Sequence, residues 1–362
     1  MIAPVFGRGE RKNIPHYRFH RDRILPFTLF DKHTVEGGCG QVNKVVIHSD
    51  HHFFNDSGVP KPCFAAVKKL KSRNAEDFKR EISILSRLSG DKHTHQHLIS
   101  LLGTYEQFGD FHLMFPWAAE NLLQHWMKVN PTRTPTDQED TLKWLAQQCL
   151  GMADGLSWIH RHLTTSGTSL LFFGPDQERL SKEKKSAKAA GNDAQRKFLY
   201  GRRGYIKPAN ILRFSTSDGS SNQKKGVLKI SDFGLVDFSV EREVDPARRG
   251  LVGFTHTYRP PESCLKGGLV SSVYDTWSLG CVFLEFATWW FGGWALVDDF
   301  NRKRLETDHT ELGSFFDFGS DFGPNKFKSD VFFTKDTNGE LIIKRSVTEV
   351  STQTHTYIPE SP

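Results

Sequence analysis

The sequence predicts an α+β protein whose two parts differ in secondary structure. Between residues 25 and 117 the apolar residues fall mostly in short runs typical of strands, interrupted at 75–88 by apolar residues at helical spacing. From residue 121 onward helical patterns dominate, and 142–160 is the clearest amphipathic segment. We therefore expect a small, mainly β part followed by a larger, mainly helical part.

Three short runs in the first part carry the strand prediction. They lie at 45–47, 64–67 and 111–115 and consist mainly of β-branched, aromatic and small apolar residues. The polar stretch 51–61 is typical of a hairpin loop. In the second part, the helix predicted at 142–160 would bury a single face. That face comprises Leu145, Cys149, Met152, Leu156 and Ile159.

The composition is that of a soluble globular protein, with 37% hydrophobic and 25% charged residues among 362. The modest net charge of +6 can favour acidic partners or nucleic acid but establishes neither. The cysteine count of five is odd and no pair has Cys-x-x-Cys spacing, which argues against a disulfide framework and a zinc site. Residues 1–11 lack the apolar core of a secretory signal. We therefore expect an intracellular protein, cytoplasmic or nuclear.

One apolar stretch, residues 278–297, has the length of a membrane span. Its only charged residue is Glu285. A helix that is apolar on all sides is also what the centre of a large protein core requires. We favour the buried core helix and expect no membrane partner.

Three segments lie outside these predicted elements. Residues 1–24 are polar and basic and are expected to form a mobile arm. An insertion at about 163–200 is expected to be solvated, because 177–203 contains nine Lys or Arg, three Asp or Glu and few large apolar residues. A nucleic-acid contact and a nuclear import signal are the alternatives for this insertion. Residues 301–362 are polar, and Asn338-Gly339 predicts a turn between strand-like runs without a set of helices.

Five short motifs follow one another along the chain. In order, they are VEGGCGQV at 35–42, AAVK at 65–68, YIKPANIL at 205–212, DFG at 232–234 and PPE at 260–262. This ordered set resembles that of the eukaryotic serine/threonine protein kinases over about residues 25–300. The resemblance implies a bilobal fold: a small antiparallel β lobe with one helix, residues 25–118, and a large, mainly α lobe, residues 119–300. Few residues follow the central helix, so we expect a shortened large lobe and an atypical segment at 301–362.

The resemblance also implies a site for the phosphates of ATP. Gly37 and Gly40 would let backbone amides approach the phosphate oxygens without an intervening side chain. Lys68 would hold the α- and β-phosphates and would pair with Glu81 on the helix that follows. Because neighbouring strand residues point to opposite faces, only one of Lys68 and Lys69 can reach the site, and the motif favours Lys68.

The same resemblance places the adenine between the sheet and the segment that joins the lobes. Val42 would pack on the adenine, and Ala66 lies in the motif that lines this pocket. Phe115 would be the gatekeeper residue. Because Pro116 has no amide hydrogen, Ala118 and neighbouring carbonyls would supply the hydrogen bonds to the base.

Three further residues are implied to act on the transferred phosphate. Lys207 would neutralise the γ-phosphate, while Asn210 and Asp232 would hold Mg²⁺ through amide and carboxylate oxygens. ATP and Mg²⁺ are therefore the expected cofactors, and a protein of unknown identity is the expected substrate or partner.

The motif at 205–212 departs from the family pattern at its most important position. Tyr205 stands where the family has the Asp that accepts the proton of the substrate hydroxyl. Tyrosine has a reference pKa of about 10 and is a poor base at neutral pH. Arg203 and Gly204 replace the family's His and Arg, which removes the group that would bind a phosphate of the activation loop. The resemblance is therefore to a degenerate, pseudokinase-like member.

Three functions stay open at this point. The favoured one is an ATP- and Mg²⁺-binding protein in which phosphoryl transfer is weak or lost. The second is an active serine/threonine kinase that uses an unorthodox base. The third is a scaffold that binds no nucleotide; the joint presence of Lys68, Glu81, Asn210 and Asp232 argues against it. A dinucleotide-binding fold is excluded because the glycines would lie between two strands rather than between a strand and a helix.

Overall fold

A six-stranded sheet with one helix forms the first part of the molecule. The computed structural model describes residues 3–7, 14–37, 40–54, 61–89, 94–131, 134–165, 200–202, 206–215, 225–231, 237–239, 257–264, 272–306 and 330–356. The sheet contains β1 (His16–Arg18), β2 (Phe27–Gly37), β3 (Gly40–Ile47), β4 (Cys63–Lys69), β5 (Gly103–Gln107) and β6 (Asp110–Pro116). Their order is β1-β5-β6-β4-β3-β2, antiparallel except for the parallel pair of β1 and β5. Helix α1 (Ala75–Ser89) lies between β4 and β5 in the chain.

The second part is mainly helical. Its helices are α2 (Leu122–Lys128), α3 (Pro135–Thr165), α4 (Ser272–Glu306) and α5 (Arg345–Thr356). Its short strands are β7 (Glu120–Asn121), β8 (Tyr200–Arg202), β9 (Ile211–Phe214), β10 (Val227–Ile230), β11 (Asp237–Ser239), β12 (Phe333–Lys335) and β13 (Leu341–Ile343). They pair as β10-β9-β7, β11-β8 and β12-β13. The α+β fold in two parts is therefore confirmed, and the runs at 45–47, 64–67 and 111–115 lie within β3, β4 and β6.

One continuous hydrophobic core joins the two parts. It takes Phe78 and Leu85 from α1, Trp126 from α2, Trp144, Met152 and Leu156 from α3, Ile211 from β9, Ile230 from β10, and Val282, Phe286 and Trp289 from α4. The apolar face predicted for 142–160 therefore faces this core. Burial of these large side chains is the main stabilising contribution that connects the sheet to the helices.

The long apolar segment of the sequence is the central helix α4. Residues 274–305 are long and apolar enough to cross a membrane by length and composition, and 44% of the most apolar window is buried inside the protein. The indole of Trp289 donates a hydrogen bond to the carbonyl of Val129, 3.0 Å away. At Gly293 the backbone turns to φ 64°, and a Cβ atom there would lie 2.4 Å from the amide oxygen of Asn130. These contacts to the α2 end are those of a helix in a protein core.

The N-terminal arm is packed against the sheet where the structure describes it, at residues 3–7 and 14–24. Phe6 is 0% exposed, and its backbone pairs with the chain at residues 51–53 through two hydrogen bonds of 2.9 Å. Its ring lies 5.4 Å from that of Tyr17 and 6.2 Å from that of Phe27. The expectation of a mobile arm is corrected for these residues. That expectation followed from the average polarity of residues 1–24. The average does not reveal the few aromatic residues that cover the outer face of the sheet.

The segment after α4 also differs from expectation. The turn at Asn338-Gly339 joins β12 to β13 as predicted, with φ 82° at Gly339. Helix α5, however, was not predicted, because its sequence RSVTEVSTQTHT is rich in Ser, Thr and Val, which have low intrinsic helix propensity. Val347 and Val350 bury one face of α5 in a cluster with Phe300 of α4 and Phe332. Tertiary packing therefore decides the conformation here.

Replacing Phe6 by Ala tests the docking of the arm. We expect Phe6→Ala to lower the free energy of unfolding by about 3 kcal/mol, because a fully buried aromatic side chain is removed. The control is Val5→Ala, whose side chain is 42% exposed, with an expected change below about 0.5 kcal/mol. Urea unfolding measures both changes. Equal, small effects of the two substitutions would show that the arm is not docked in solution.

Candidate functional site

Four of the predicted nucleotide-binding residues lie on one face of the sheet. Ala66 and Lys68 are two residues apart on β4, so they share a face. Val42 is directly opposite Lys68, and Phe115 is directly opposite Ala66. Directly opposite residues of an antiparallel pair also share a face. Lys68 is only 9% exposed, so its ammonium group lies in a protected part of this face.

The neighbouring lysine is used elsewhere. Lys69 points to the opposite face, where its Nζ lies 2.5 Å from Oδ2 of Asp110. The Nε of Arg73 lies 2.8 Å from the other oxygen of the same carboxylate. Burial alone would raise the pKa of Asp110, but hydrogen bonds from Lys69 and Arg73 hold it below its usual value. The geometry therefore separates the two lysines as strand alternation predicts.

The glycine-rich motif forms the tip of the β2-β3 hairpin. Gly37 is the last residue of β2 and Gly40 the first of β3, and they are paired with each other. Gly38 and Cys39 lie outside the described residues. The two placed glycines stand at the end of β3 that also carries Val42, on the strand next to Lys68. Because glycine has no side chain, the backbone at positions 37 and 40 can approach a bound phosphate closely.

Helix α1 packs on the same face of the sheet as Lys68. Phe111 and Leu113 are two residues apart on β6, and Leu113 is directly opposite Lys68. The ring of Phe78, on α1, stacks on that of Phe111 with 4.1 Å between centroids. Glu81 follows Phe78 by three residues, about one helical turn. The backbone of Glu81 is thus on the helix that faces Lys68, while its side chain is outside the described part of the structure.

The segment between the two parts presents a free hydrogen-bond donor at Ala118. The amide of Trp117 donates to the carbonyl of Phe64 at 3.1 Å, and that of Ala119 donates to Arg213 at 3.0 Å. Within the described ranges the amide of Ala118, between them, has no partner. Pro116 supplies no donor. Ala118 is therefore the donor available to a ligand at this position.

An ion pair between Glu120 and Arg213, which the sequence did not suggest, fixes the position of the segment around Ala118. Glu120 follows it directly, and its Oε1 accepts hydrogen bonds from Arg213 Nε and His125 Nδ1, both at 2.9 Å. Burial alone would raise the pKa of Glu120, but these two partners hold it below its usual value. The pair joins β7 to β9. No specific pattern in the sequence marks this pair, because 93 residues separate Glu120 from Arg213.

The motif at 205–212 is placed from Ile206 onward. Lys207 precedes a single 3₁₀ turn, Pro208–Asn210, which leads into β9. The amide and the hydroxyl of Ser231 both donate to the carbonyl of Asn210, at 2.9 and 2.8 Å. These two bonds hold Ser231, the residue before Asp232 in the sequence, beside Asn210. Tyr205 and Asp232 themselves lie outside the described residues.

Strand β10, which leads to Asp232, is tied to the loop before β5. The amide of Ile230 donates to the carbonyl of His97 at 2.8 Å, and the amide of Ile99 donates to the carbonyl of Ile230 at 3.0 Å. Burial lowers the pKa of His97, so the neutral ring donates from Nδ1 to the carbonyl of Leu228, 2.8 Å away. The other edge of this ring packs on α3 at Gly151, where a Cβ atom would lie 2.0 Å from Nε2.

A second buried network holds the residues just before the PPE motif at 260–262 against α4. The hydroxyl of Tyr258 donates to Glu285 at 2.8 Å, and the guanidinium of Arg304 donates to the other oxygen of Glu285 at 2.9 Å. Burial raises the pKa of Glu285, and Arg304 opposes that rise. Asp275 is buried on α4, with its Oδ2 3.4 Å from Nε2 of His160.

Comparisons with known proteins agree with this geometry. The family model of the protein kinase domain matches residues 205–292. Over these residues the sequence is therefore similar to eukaryotic-type protein kinases. Its curated relatives include cyclin-dependent kinase 2 of Caenorhabditis elegans, 42% identical over 89 residues, which cover 23% of this chain and 19% of the relative. They also include serine/threonine-protein kinase atg1 of Aspergillus niger, 26% identical over 224 residues, 60% of this chain and 21% of the relative.

A human relative aligns over a similar length of the kinase domain. Cyclin-dependent kinase-like 4 is 24% identical over 209 residues, covering 58% of this chain and 39% of the relative. The chain thus spans about a fifth of the length of the first relatives named and about two fifths of the third. The small sheet with α1 and the helices of the second part are the β lobe and the helical lobe expected of a kinase-like fold.

The contact between Gly151 and His97 gives a test of the support beneath β10. An alanine in the middle of a helix is ordinarily more favourable than glycine by about 1 kcal/mol. We expect Gly280→Ala to show that gain, because among the described residues nothing lies within 4 Å of a Cβ atom there. We expect Gly151→Ala to lower the free energy of unfolding by about 2 kcal/mol, because the His97 ring is displaced. Urea unfolding compares the two, and a gain at both positions would show that the ring does not occupy this space in solution.

Proposed function

We propose that this kinase domain binds ATP with Mg²⁺ and that its phosphoryl transfer is weak or lost. The observation that carries the proposal is the buried Lys68, which shares one sheet face with Val42, Ala66 and Phe115. An ammonium group at this position would bind the phosphates of a nucleotide through charge-assisted hydrogen bonds. Glu81 on α1 would be a second partner of Lys68.

The adenine would lie between the sheet face and the Ala118 segment. Val42 and Ala66 supply apolar contacts of the kind that a purine ring requires, and Phe115 closes the inner end. The free amide of Ala118 would donate to a ring nitrogen of the base. A mainly apolar pocket with one or two fixed polar groups is the usual form of such a site.

Magnesium would be held by Asn210 and Asp232. Among the described residues no group of three or more His, Cys, Asp or Glu could hold a metal ion. The Ser231–Asn210 hydrogen bonds hold Asn210 beside the residue that precedes Asp232 in the sequence, which supports the proposal of a shared ion. An amide and a carboxylate oxygen suit this hard cation, which usually keeps phosphate oxygens and water as its other ligands. When bound, the ion supplies positive charge beside the phosphates, and Lys207 adds to it from the protein side.

Tyr205 is the reason to propose weak or lost transfer. A general base contributes about 10²- to 10⁴-fold to rate, and a phenol is a poor base at neutral pH. Positioning and charge neutralisation would remain. The substrate or partner would be a protein, and nucleic acid and membranes are not expected as partners.

An intracellular location is part of the same proposal. Cys63, Cys149 and Cys281 are free thiols. Burial raises the pKa of Cys63 to about 11 and that of Cys149 to about 12, so both are unreactive at neutral pH. Free thiols at these three positions fit a protein in a reducing compartment. We also propose a division into lobes at 25–118 and 119–300, with α4 extending the second lobe to Glu306.

The neighbouring lysines provide a matched test of nucleotide binding. Lys68→Met keeps the length of the side chain and removes its charge, so we expect the affinity for Mg²⁺-ATP to fall about tenfold or more. Lys69→Met should change it less than about twofold, because Lys69 faces Asp110 on the other side of the sheet. Calorimetric titration measures both. If the unaltered chain binds no ATP, the scaffold function replaces the one proposed.

A second test addresses transfer itself. We expect Tyr205→Asp to raise γ-phosphate transfer to a serine/threonine peptide, or to the chain itself, by about 10²- to 10⁴-fold. Tyr205→Phe is the control, because it removes the hydroxyl without supplying a base, and it should give no gain. Transfer by the unaltered chain at a rate near that of the Asp variant would mean that another group acts as base and that the domain is an active kinase.

A further inference from the structure

The N-terminal arm adds a strand to the free edge of the small sheet. β1 runs parallel to β5, with His16 opposite Thr104 and Tyr17 opposite Tyr105. The amide of Thr104 donates to the carbonyl of Pro15 at 2.9 Å. The hydroxyl of Thr104 donates to the same carbonyl at 3.4 Å, so Nδ1 of His16 is the donor in its 2.9 Å hydrogen bond to that hydroxyl. The arm is thus held by main-chain and side-chain bonds together.

Successive residues of β1 contact different layers of the protein. Tyr17 lies in the outer aromatic cluster, where its hydroxyl accepts a hydrogen bond from the amide of Gly7 at 2.8 Å and its ring packs near Phe6. His16 faces the other side, and its ring centroid is 5.1 Å from that of Phe78 on α1. Ile14 packs on the main core. One short strand therefore connects the outer face of the sheet to α1.

The contact with Phe78 lies close to the proposed phosphate-binding residues. Phe78 is held between the ring of His16 and the ring of Phe111, with centroids 5.1 and 4.1 Å away. Glu81 follows Phe78 by about one helical turn. Phe78 and Glu81 lie on the same helix, α1. A displacement of Phe78 would therefore move Glu81 relative to Lys68 on the sheet.

We propose that β1 positions α1 through the contact between His16 and Phe78, and so sets the distance between Glu81 and Lys68. The effect on Glu81 and Lys68 rests on the proposed nucleotide site, whereas the contact between His16 and Phe78 does not depend on it. In protein kinases, phosphoryl transfer depends on the Lys–Glu pair between sheet and helix being in place, and in this chain the same pair would help to hold the phosphates. His16 is a positioning residue in this scheme and touches no ligand.

A purely structural role is the competing explanation. An added edge strand shields the unpaired amides and carbonyls of β5, which is a common means of preventing aggregation. In that case any loss at β1 would loosen the sheet as a whole, and His16 and Tyr17 would behave alike. If β1 positions α1, substitutions of His16 and of Tyr17 affect α1 differently, because the two side chains lie on opposite sides of the strand.

Amide hydrogen exchange on the full chain, without nucleotide, tests the contact directly. We expect His16→Ala to speed the exchange of α1 amides about tenfold while β3 and β4 stay unchanged. His16→Phe, which keeps a ring against Phe78, should restore protection. Tyr17→Phe, which removes only the bond to Gly7, should leave α1 unaffected. Uniform acceleration of the sheet and α1, or equal effects of His16→Ala and Tyr17→Phe, would overturn the proposal.

A double-mutant cycle tests the consequence for the site. Affinity for Mg²⁺-ATP is measured for the unaltered chain, His16→Ala, Glu81→Gln and the double variant. If His16 acts through Glu81, His16→Ala weakens binding about fivefold alone and has no further effect in the Glu81→Gln background. Additive losses would overturn the link to Glu81. Absence of ATP binding by the unaltered chain would instead refute the proposed function, and the exchange experiment would still decide the role of β1.

Discussion

The backbone pairing of Ile230 is the constraint on which the rest of the site depends. Its amide and carbonyl bond to the loop before β5, and the next residue, Ser231, bonds to the carbonyl of Asn210. A buried backbone group that loses its partner costs about 1–3 kcal/mol, so strand β10 cannot shift without breaking several such bonds. His97 adds a side-chain bond to Leu228 and rests on α3. The β lobe, the helical lobe and the motif at 205–212 therefore meet at one fixed strand.

The two faces of the small sheet have separate tasks. The outer face is covered by aromatic residues of the arm, with Phe6 at its centre. The inner face carries Lys68 and packs on α1 through the stacked rings of Phe78 and Phe111. Each packed face contributes to the stability of a small sheet, and the arm gives this sheet a second one. The arm thus stabilises the sheet on the side opposite the proposed phosphate site.

Much of the fold was predictable from periodicity alone. The runs at 45–47, 64–67 and 111–115, helix α1 and the apolar face of α3 follow from spacings of two and of about 3.6 residues. Strand alternation also separated Lys68 from Lys69. The docked arm and α5 were not predictable, because single aromatic residues and valines in polar stretches act only through distant partners. The Glu120–Arg213 pair was missed for the same reason, since 93 residues separate its members. The roles of the predicted site residues, among them Tyr205 and Asp232, stay predictions.

The buried pair of Glu285 and Arg304 has a consequence for how the sequence can evolve. Arg304 is 1% exposed, lies between the rings of Phe300 and Phe332, and donates to the carbonyl of Asp330. Loss of one partner from such a pair leaves an uncompensated buried charge, at a cost of about 3–5 kcal/mol, whereas joint replacement by apolar residues can be neutral. Substitution of either residue alone is therefore strongly destabilising. Among homologues that keep this packing of α4 against residues 330–333, the two positions should be exchanged together or not at all, so their joint variation would serve as a marker of descent for this arrangement of the helical lobe.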